Sequence, residues 1–327
     1  MRIGIIGCGA WGVTIGKVFK DNGAEVKIWC HNQEYADLIA QKRIHPVLDG
    51  VKLPELETTV DLPTVVGNSD LLVLAIASNF IDILDEVKKY RLNSTPILVL
   101  TKGLLENKST IFVSEYIRQI LGQDLSLAVL SGPNIAIEIA KELPAATVIA
   151  SKDEAAAQKI QKAISNNYFR AYRSLDIVGV ELGGILKNIM AIAAGCIDAL
   201  NLGTNAKSAL MTRALREMIR FGLCYNAQSE TFFGLSGVGD LITTCSSPNS
   251  RNWQAGYKIA KQDFEFLKHD KTQIAEGIKA CKIVHYIAIE KNIDMPITKE
   301  IYQVIYEQKN PVKAISDLMM RDLKIEA

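Results

Sequence analysis

Arg2-Ile3-Gly4-Ile5-Ile6-Gly7-Cys8-Gly9-Ala10-Trp11-Gly12 is the stretch from which the fold of this chain is read. A short apolar strand runs directly into a GxGxxG, and a helical period over residues 11–20 follows. Each glycine has a separate task in such a turn. Gly7 allows the tight bend, Gly9 lets a pyrophosphate approach the backbone, and Gly12 lets the helix pack close to the strand. The first turn of the helix then offers unpaired N–H groups and a positive dipole end to phosphates. The strand before and the helix after separate a dinucleotide loop from a glycine-rich turn that binds nothing.

Outward from this loop, apolar runs over 25–30, 71–76, 97–100, 127–130 and 145–150 alternate with helical periods. Those periods cover 34–42, 81–89, 108–121, 135–141 and 154–164. The runs are rich in Val, Ile and Leu, and most lack polar alternation, as in strands buried on both faces. The predicted architecture is α/β, a Rossmann-type doubly wound parallel sheet with right-handed crossovers. From about residue 176 only helical periods appear, over 178–200, 206–224, 253–260, 274–290, 297–306 and 311–320. Pro296 and Pro311 stand where they open helices, at the first-turn position that proline tolerates. A dinucleotide-binding domain over 1–175 and a mainly α-helical substrate-binding and catalytic domain over 176–327 are therefore expected.

Composition narrows the class. The 327 residues carry 37 Lys+Arg against 36 Asp+Glu, and this balance argues against a nucleic-acid-binding surface. The longest unbroken apolar run, 71–77, is far short of the ~18 residues a membrane-spanning helix needs, so no membrane insertion is expected. A strand starting at Arg2 leaves no place for a signal peptide, which points to the cytoplasm. Cys8, Cys30, Cys196, Cys224, Cys245 and Cys281 are widely spaced and read as small core hydrophobes. With His31, His45, His269 and His285 scattered, no metal site is signalled.

NAD sites usually place a carboxylate about 20 residues beyond the loop, on the ribose hydroxyls. Here the second strand ends Ile28-Trp29-Cys30-His31-Asn32, with no acid. Repulsion against a 2′-phosphate is thereby removed and His31 is within reach of one, so the cofactor is NAD or NADP. His31 reads equally well as a plain surface residue.

Three further segments place polar groups beside glycines or in apolar surroundings. Lys102, in Thr101-Lys102-Gly103, and Ser131-Gly132-Pro133-Asn134 follow strands, where ligands bind in such sheets. In Glu181-Leu182-Gly183-Gly184-Ile185-Leu186-Lys187-Asn188, Lys187 interrupts an apolar helix. There it either snorkels to the surface or sits desolvated, suited to proton transfer at an alcohol oxygen. The glycine pair would let a ligand or strand approach closely. Asp240 follows Gly237-Val238-Gly239 and is either a turn residue or the group that fixes a lysine. Ser250-Arg251-Asn252 forms a compact clamp for phosphate or carboxylate. Two lysines and an arginine imply a substrate with about two negative charges.

These motifs, with Gly234-Leu235-Ser236-Gly237-Val238-Gly239-Asp240-Leu241, Glu276-Gly277 and Met295-Pro296-Ile297-Thr298, resemble NAD(P)-dependent glycerol-3-phosphate dehydrogenase of the bacterial type almost end to end. The resemblance implies reversible reduction of dihydroxyacetone phosphate to sn-glycerol 3-phosphate, supplying glycerophospholipid synthesis. By that likeness Lys187 is the proton donor and acceptor. Lys102, Gly132, Asn134, Asp240, Ser250, Arg251 and Asn252 contact the substrate. Ala10, Trp11, His31, Lys102, Ala136, Arg251, Ile274 and Glu276 contact the cofactor, alongside Gly7, Gly9 and Gly12. Asn134 stands where many bacterial members carry Ser or Thr, and Ala10 replaces a frequent Ser. A homodimer is the default assembly. A β-hydroxyacid dehydrogenase acting on a carboxylate, and a non-catalytic dinucleotide-binding redox sensor, are the competing readings.

Overall fold

The computed structural model describes residues 1–92, 94–265, 275–323, 325 and 326. Among these, eight strands form one sheet: β1 (Arg2–Ile6), β2 (Glu25–Trp29), β3 (Glu57–Thr59), β4 (Leu71–Leu74), β5 (Ile97–Val99), β6 (Leu127–Ser131), β7 (Ala145–Ser151) and β8 (Phe169–Ser174). Their spatial order is β3-β2-β1-β4-β5-β6-β7-β8. The linking helices are α1 (Ala10–Asp21), α2 (Gln33–Asp37), α3 (Leu62–Gly67), α4 (Leu84–Tyr90), α5 (Val113–Leu121), α6 (Ala136–Ala140) and α7 (Glu154–Ile164). Period-two alternation divides the core between the two faces. Ile3, Ile5, Leu71 and Val73 join one apolar cluster with Val13, Ile15 and Phe19 of α1. Ile6, Leu72, Leu74 and Val99 join the other, with Leu84, Val87, Val113 and Ile117. Strands covered on both sides need no polar alternation.

Strands β1 to β6 are parallel, as expected, but β7 pairs antiparallel with β6 and carries β8 with it. The link across 132–144 contains only the five-residue helix α6, so the chain re-enters the sheet from the end it left. Strands β3 and β8 are additions to the predicted set. β3 is three polar residues, and β8 alternates buried Phe169 and Ala171 with exposed Arg170 and Tyr172, as an edge strand does.

By contact density the chain divides into two compact units, Met1–Glu181 and Leu182–Ala327. Helix α8 (Ile177–Ala199) starts in the first and runs on through the second. It is apolar on all sides, as a buried helix must be. Length and hydropathy would let α8 cross a membrane, yet 89% of its most apolar window is buried within the protein. The second unit continues with α9 (Gly203–Leu223), α10 (Ser229–Phe232), a π-turn at Leu235–Gly239, α11 (Asp240–Ser246) and α12 (Arg251–Ala260). Among the described residues, helices Glu276–Glu290, Pro296–Tyr306 and Pro311–Met319 follow, the last two each opened by proline. The expected start at 274 is not one the structure addresses, because Ile274 lies outside the described residues.

Helix crossings in this unit are very close. A Cβ on Gly256 of α12 would lie 1.8 Å from the Ile192 carbonyl of α8. Trp253 Nε1 donates to Asp198 at 2.7 Å, which fixes the first turn of α12 against the end of α8.

Candidate functional site

In the first unit the site is built from backbone. Strand order reverses between β1 and β4, and this switch point is where open α/β sheets bind ligands, beyond their carboxyl ends. The glycine loop leaves β1 there. Gly7 has φ +113°, and a Cβ on it would lie 2.4 Å from the Ala75 carbonyl that follows β4. A Cβ on Gly12 would lie 2.1 Å from the Gly7 carbonyl. Gly9 differs from both, because a Cβ there would meet nothing within 4 Å. Its absence keeps open space beside the loop.

Gly9 is also the N-cap of α1 and provides no side-chain cap, so the first amides of the helix have no side-chain acceptor. Trp11 Nε1 is buried without a hydrogen-bond partner. Open space, uncapped amides and an orphaned donor together fit a dinucleotide pyrophosphate. Ala10 and Trp11 form the first helical positions, half-buried. His31 is exposed just beyond β2.

One residue absent from the predicted set braces this loop. His45 is 4% exposed, and its Nε2 lies 3.2 Å from the Cys8 carbonyl while its Nδ1 accepts from Val47 N at 3.2 Å. That acceptor role puts the ring proton on Nε2, so neutral His45 donates to the loop. Burial pushes its pKa down and favours this state. His45 sits in an irregular stretch with no periodic signal to mark it.

Next along the sheet, Lys102 and Gly132 come together: Lys102 Nζ donates to the Gly132 carbonyl at 3.3 Å. Asn134 is more committed than the sequence suggests. Its amide oxygen accepts from Thr147 Oγ1 at 2.8 Å, and its nitrogen donates to the Ala146 carbonyl at 3.2 Å, leaving one amide hydrogen for a ligand. Ser131 Oγ is buried with no hydrogen-bond partner. Ala136, the first residue of α6, accepts from Thr14 Oγ1 of α1 at 3.3 Å, which ties the two cofactor-side helices together.

In the second unit the site is built from side chains. Lys187 is 7% exposed and Asp240 1%. Lys187 Nζ donates to the Asp240 carboxylate and, at 2.9 Å, to Thr244 Oγ1, which itself donates to Asp240 at 3.2 Å. Lys187 is thus held in a crevice and does not snorkel. Asp240 is the first residue of α11 and not a turn residue, and Thr244 lies one helical turn on.

Of the Gly183-Gly184 pair, Gly183 admits a close backbone approach. A Cβ on Gly183 would lie 2.3 Å from the Ser236 carbonyl, so it admits the π-turn that delivers Asp240. Ser250 caps α12 through Trp253 N at 3.3 Å, and Asn252 Oδ1 accepts from Gly277 N at 2.9 Å. Both hydrogen bonds set the shape of the clamp and leave the Asn252 amide nitrogen for a ligand. Arg251 is exposed at the first helical position of α12. Glu276 opens its helix, half-buried; Ile274 lies outside the described residues. Among the described residues no group of three or more His, Cys, Asp or Glu side chains is arranged to hold a metal.

Residues 2–157 match the family model for the NAD-dependent glycerol-3-phosphate dehydrogenase N-terminus, and 176–316 match that for its C-terminus. A glycerol-3-phosphate dehydrogenase [NAD(P)+] of a Thermotoga strain is 41% identical over 328 residues, covering 100% of this chain and 99% of its own. One from Leptospira biflexa is 40% identical over 332 residues, with 100% and 99% covered. The crystal structure of the Coxiella burnetii enzyme superposes with a TM-score of 0.90 at 31% identity, covering 98% of this chain and 99% of that one.

Proposed function

The chain belongs to the NAD-dependent glycerol-3-phosphate dehydrogenase family, and from that premise we propose how its residues carry out the reaction. It is an NAD(P)-dependent oxidoreductase that interconverts dihydroxyacetone phosphate and sn-glycerol 3-phosphate, a precursor of glycerophospholipids. Gly7, Gly9, Ala10, Trp11 and Gly12 hold the dinucleotide, with His31, Lys102, Ala136, Arg251, Ile274 and Glu276 as further contacts. When bound, the nicotinamide supplies or accepts the hydride. Arg251, Ser250 and Asn252 bind the substrate phosphate, where a guanidinium and two short polar groups match its oxygens. Lys187 polarises the C2 carbonyl as an ammonium and gives its proton to the oxygen as the alkoxide develops. In the reverse direction it takes that proton back.

Asp240 and Thr244 keep the ammonium aimed and charge-compensated, so no reorganisation is needed as the oxyanion forms. Lys102, Gly132 and Asn134 orient the rest of the substrate. The single observation that carries this reading is Lys187, almost fully buried, with its ammonium held on the Asp240 carboxylate and the Thr244 hydroxyl. The same proposal includes cytoplasmic location and a homodimer. For the dimer, the second unit carries an apolar groove of about 870 Å³ bordered by Leu210, Ile301, Val304 and Leu318.

The test is oxidation of NADH and of NADPH followed by absorbance, with dihydroxyacetone phosphate, unphosphorylated dihydroxyacetone and a 2-keto acid as substrates. Oxidation only with the phosphate ester supports the assignment. Oxidation with the keto acid alone would move it to the carboxylate dehydrogenases. The ratio of the NADH and NADPH rates reads the role of His31.

A further inference from the structure

Ser250, Arg251 and Asn252, the N-cap and first two residues of α12, share one helical turn, and a residue absent from the predicted set holds that turn. Two members of the clamp have anchors of their own. Ser250 Oγ accepts from Trp253 N, and Asn252 Oδ1 accepts from Gly277 N of the helix Glu276–Glu290. Arg251 is exposed at the first helical position, so its direction is set by the turn that carries it. What fixes the rotation and axial position of that turn therefore decides where the guanidinium points. All the groups concerned lie in the second unit.

Helix α12 meets α8 backbone to backbone. A Cβ on Gly195 would lie 2.0 Å from the Trp253 carbonyl, as one on Gly256 would lie 1.8 Å from that of Ile192. Faces without side chains let two helices come close, but they are smooth. They fix a separation and leave sliding and rotation weakly determined. A hydrogen bond is directional and removes that freedom.

Trp253, two residues beyond Arg251, supplies it. Its Nε1 donates to Asp198 Oδ2 at 2.7 Å, and its indole stacks on Tyr257 with ring centroids 5.2 Å apart. Lys207 Nζ of α9 donates to the same Asp198 oxygen at 2.6 Å. A bare carboxylate so near an anion clamp would repel the ligand. The Lys207 ammonium offsets that charge and leaves Asp198 an acceptor for the indole. Three helices, α8, α9 and α12, thus meet on one carboxylate oxygen.

We propose that Asp198 is a positioning residue for the substrate phosphate: acting through Trp253, it sets the direction of Arg251 and so the affinity for a phosphate-bearing substrate. Bidentate guanidinium–oxyanion pairs demand a narrow geometry, and binding groups work only when held within about 0.5 Å of it. The inference rests on the reading of Ser250-Arg251-Asn252 as the phosphate site, and it adds what holds that site in register. Lys187 and the glycine loop are not involved, so proton transfer and cofactor binding should be left intact.

The experiment is steady-state NADH oxidation by the full chain at saturating NADH, with dihydroxyacetone phosphate varied. Asp198→Ala and Trp253→Phe break the same bond from its two ends. Each is expected to raise KM about tenfold or more, the worth of a hydrogen bond to a charged group. In both, kcat should stay within about twofold of the parent, because a raised KM at constant kcat marks lost ground-state binding. NADH affinity, titrated by fluorescence, should not change. Damage to folding alone does the reverse: it lowers the active fraction and with it the apparent kcat, and it leaves KM where it was.

Asp198→Asn keeps an acceptor for the indole and is expected to recover most of the parent KM. In an Arg251→Ala background, Asp198→Ala should add little, because the side chain through which it acts is already gone. A parental KM in Asp198→Ala or Trp253→Phe would overturn the proposal. So would a fall in kcat at constant KM, or effects of Asp198→Ala and Arg251→Ala that multiply in full. Arg251→Ala with the parental KM would refute the phosphate clamp itself, a failure visible separately from that of its positioning.

Discussion

The glycine loop and the Lys187 pocket solve opposite physical problems. On the proposed reading the loop meets a polyanion with backbone amides, and what matters is the atoms left out: a Cβ at Gly9 would enter open space. At Lys187 the same reading puts one buried cation to work, and what matters is the atoms put in, the Asp240 carboxylate and the Thr244 hydroxyl. The first site should therefore fail when atoms are added, and the second when they are removed. The two failures also differ in kind. Loop substitutions act on cofactor affinity or on packing, whereas pocket substitutions act on turnover or on the cost of an unpaired buried charge.

The largest expected effect is on turnover. Lys187→Ala should lower kcat by about 10²–10⁴, the usual worth of general acid–base catalysis, in steady-state NADH oxidation. A normal kcat would break the contrast at once. Next comes Asp240→Ala, which takes the carboxylate away from a buried ammonium. Removing one partner of a buried pair costs roughly 3–5 kcal/mol, measurable as a lower denaturant midpoint.

Gly12→Ala forces a Cβ against the Gly7 carbonyl and should cost about 1–3 kcal/mol of stability, read from the same curves. The sharpest contrast within the loop is then Gly9→Ala, whose Cβ touches nothing: its stability should stay within about 0.5 kcal/mol of the parent. Smallest of all is the effect of the exposed Arg2–Asp70 pair at 2.9 Å, which solvent screens. Hydrogen bonds from Arg2 hold the Asp70 carboxyl down at about 2. With the folded pKa below the unfolded one, this contribution is present above the ordinary carboxylate range and is lost as pH falls toward 2. Asp70→Asn should remove that acid-side dependence in pH-dependent melts, lowering stability slightly at neutral pH and leaving it unchanged near pH ~2.

Much of this was legible in the sequence because it rests on period and punctuation. The apolar runs marked the buried strands, and GxGxxG between strand and helix marked the loop. Pro296 and Pro311 marked the helix starts observed. What escaped depends on contacts distant in sequence. β3, three polar residues, has no run to detect, and the reversal of β7 depends on where the chain re-enters the sheet.

Thr244 was hidden because Gly237-Val238-Gly239-Asp240 reads as a turn, while the structure makes it a π-turn leading into α11. Had a helix been assigned there, the spacing of four from Asp240 would have exposed the pair. The Asn134 amide read as a free orienting group, and only the fold shows Thr147 and Ala146 using most of it.

The most direct measurement is NADH binding by Gly9→Ala and Lys187→Ala side by side, titrated by fluorescence on folded, reduced protein. The account predicts that Gly9→Ala, though as stable as the parent, binds NADH about tenfold or more weakly, whereas Lys187→Ala binds it with unchanged affinity. Unchanged affinity in Gly9→Ala together with lost affinity in Lys187→Ala would contradict it, because the cofactor would then be held by the second site and not by the loop.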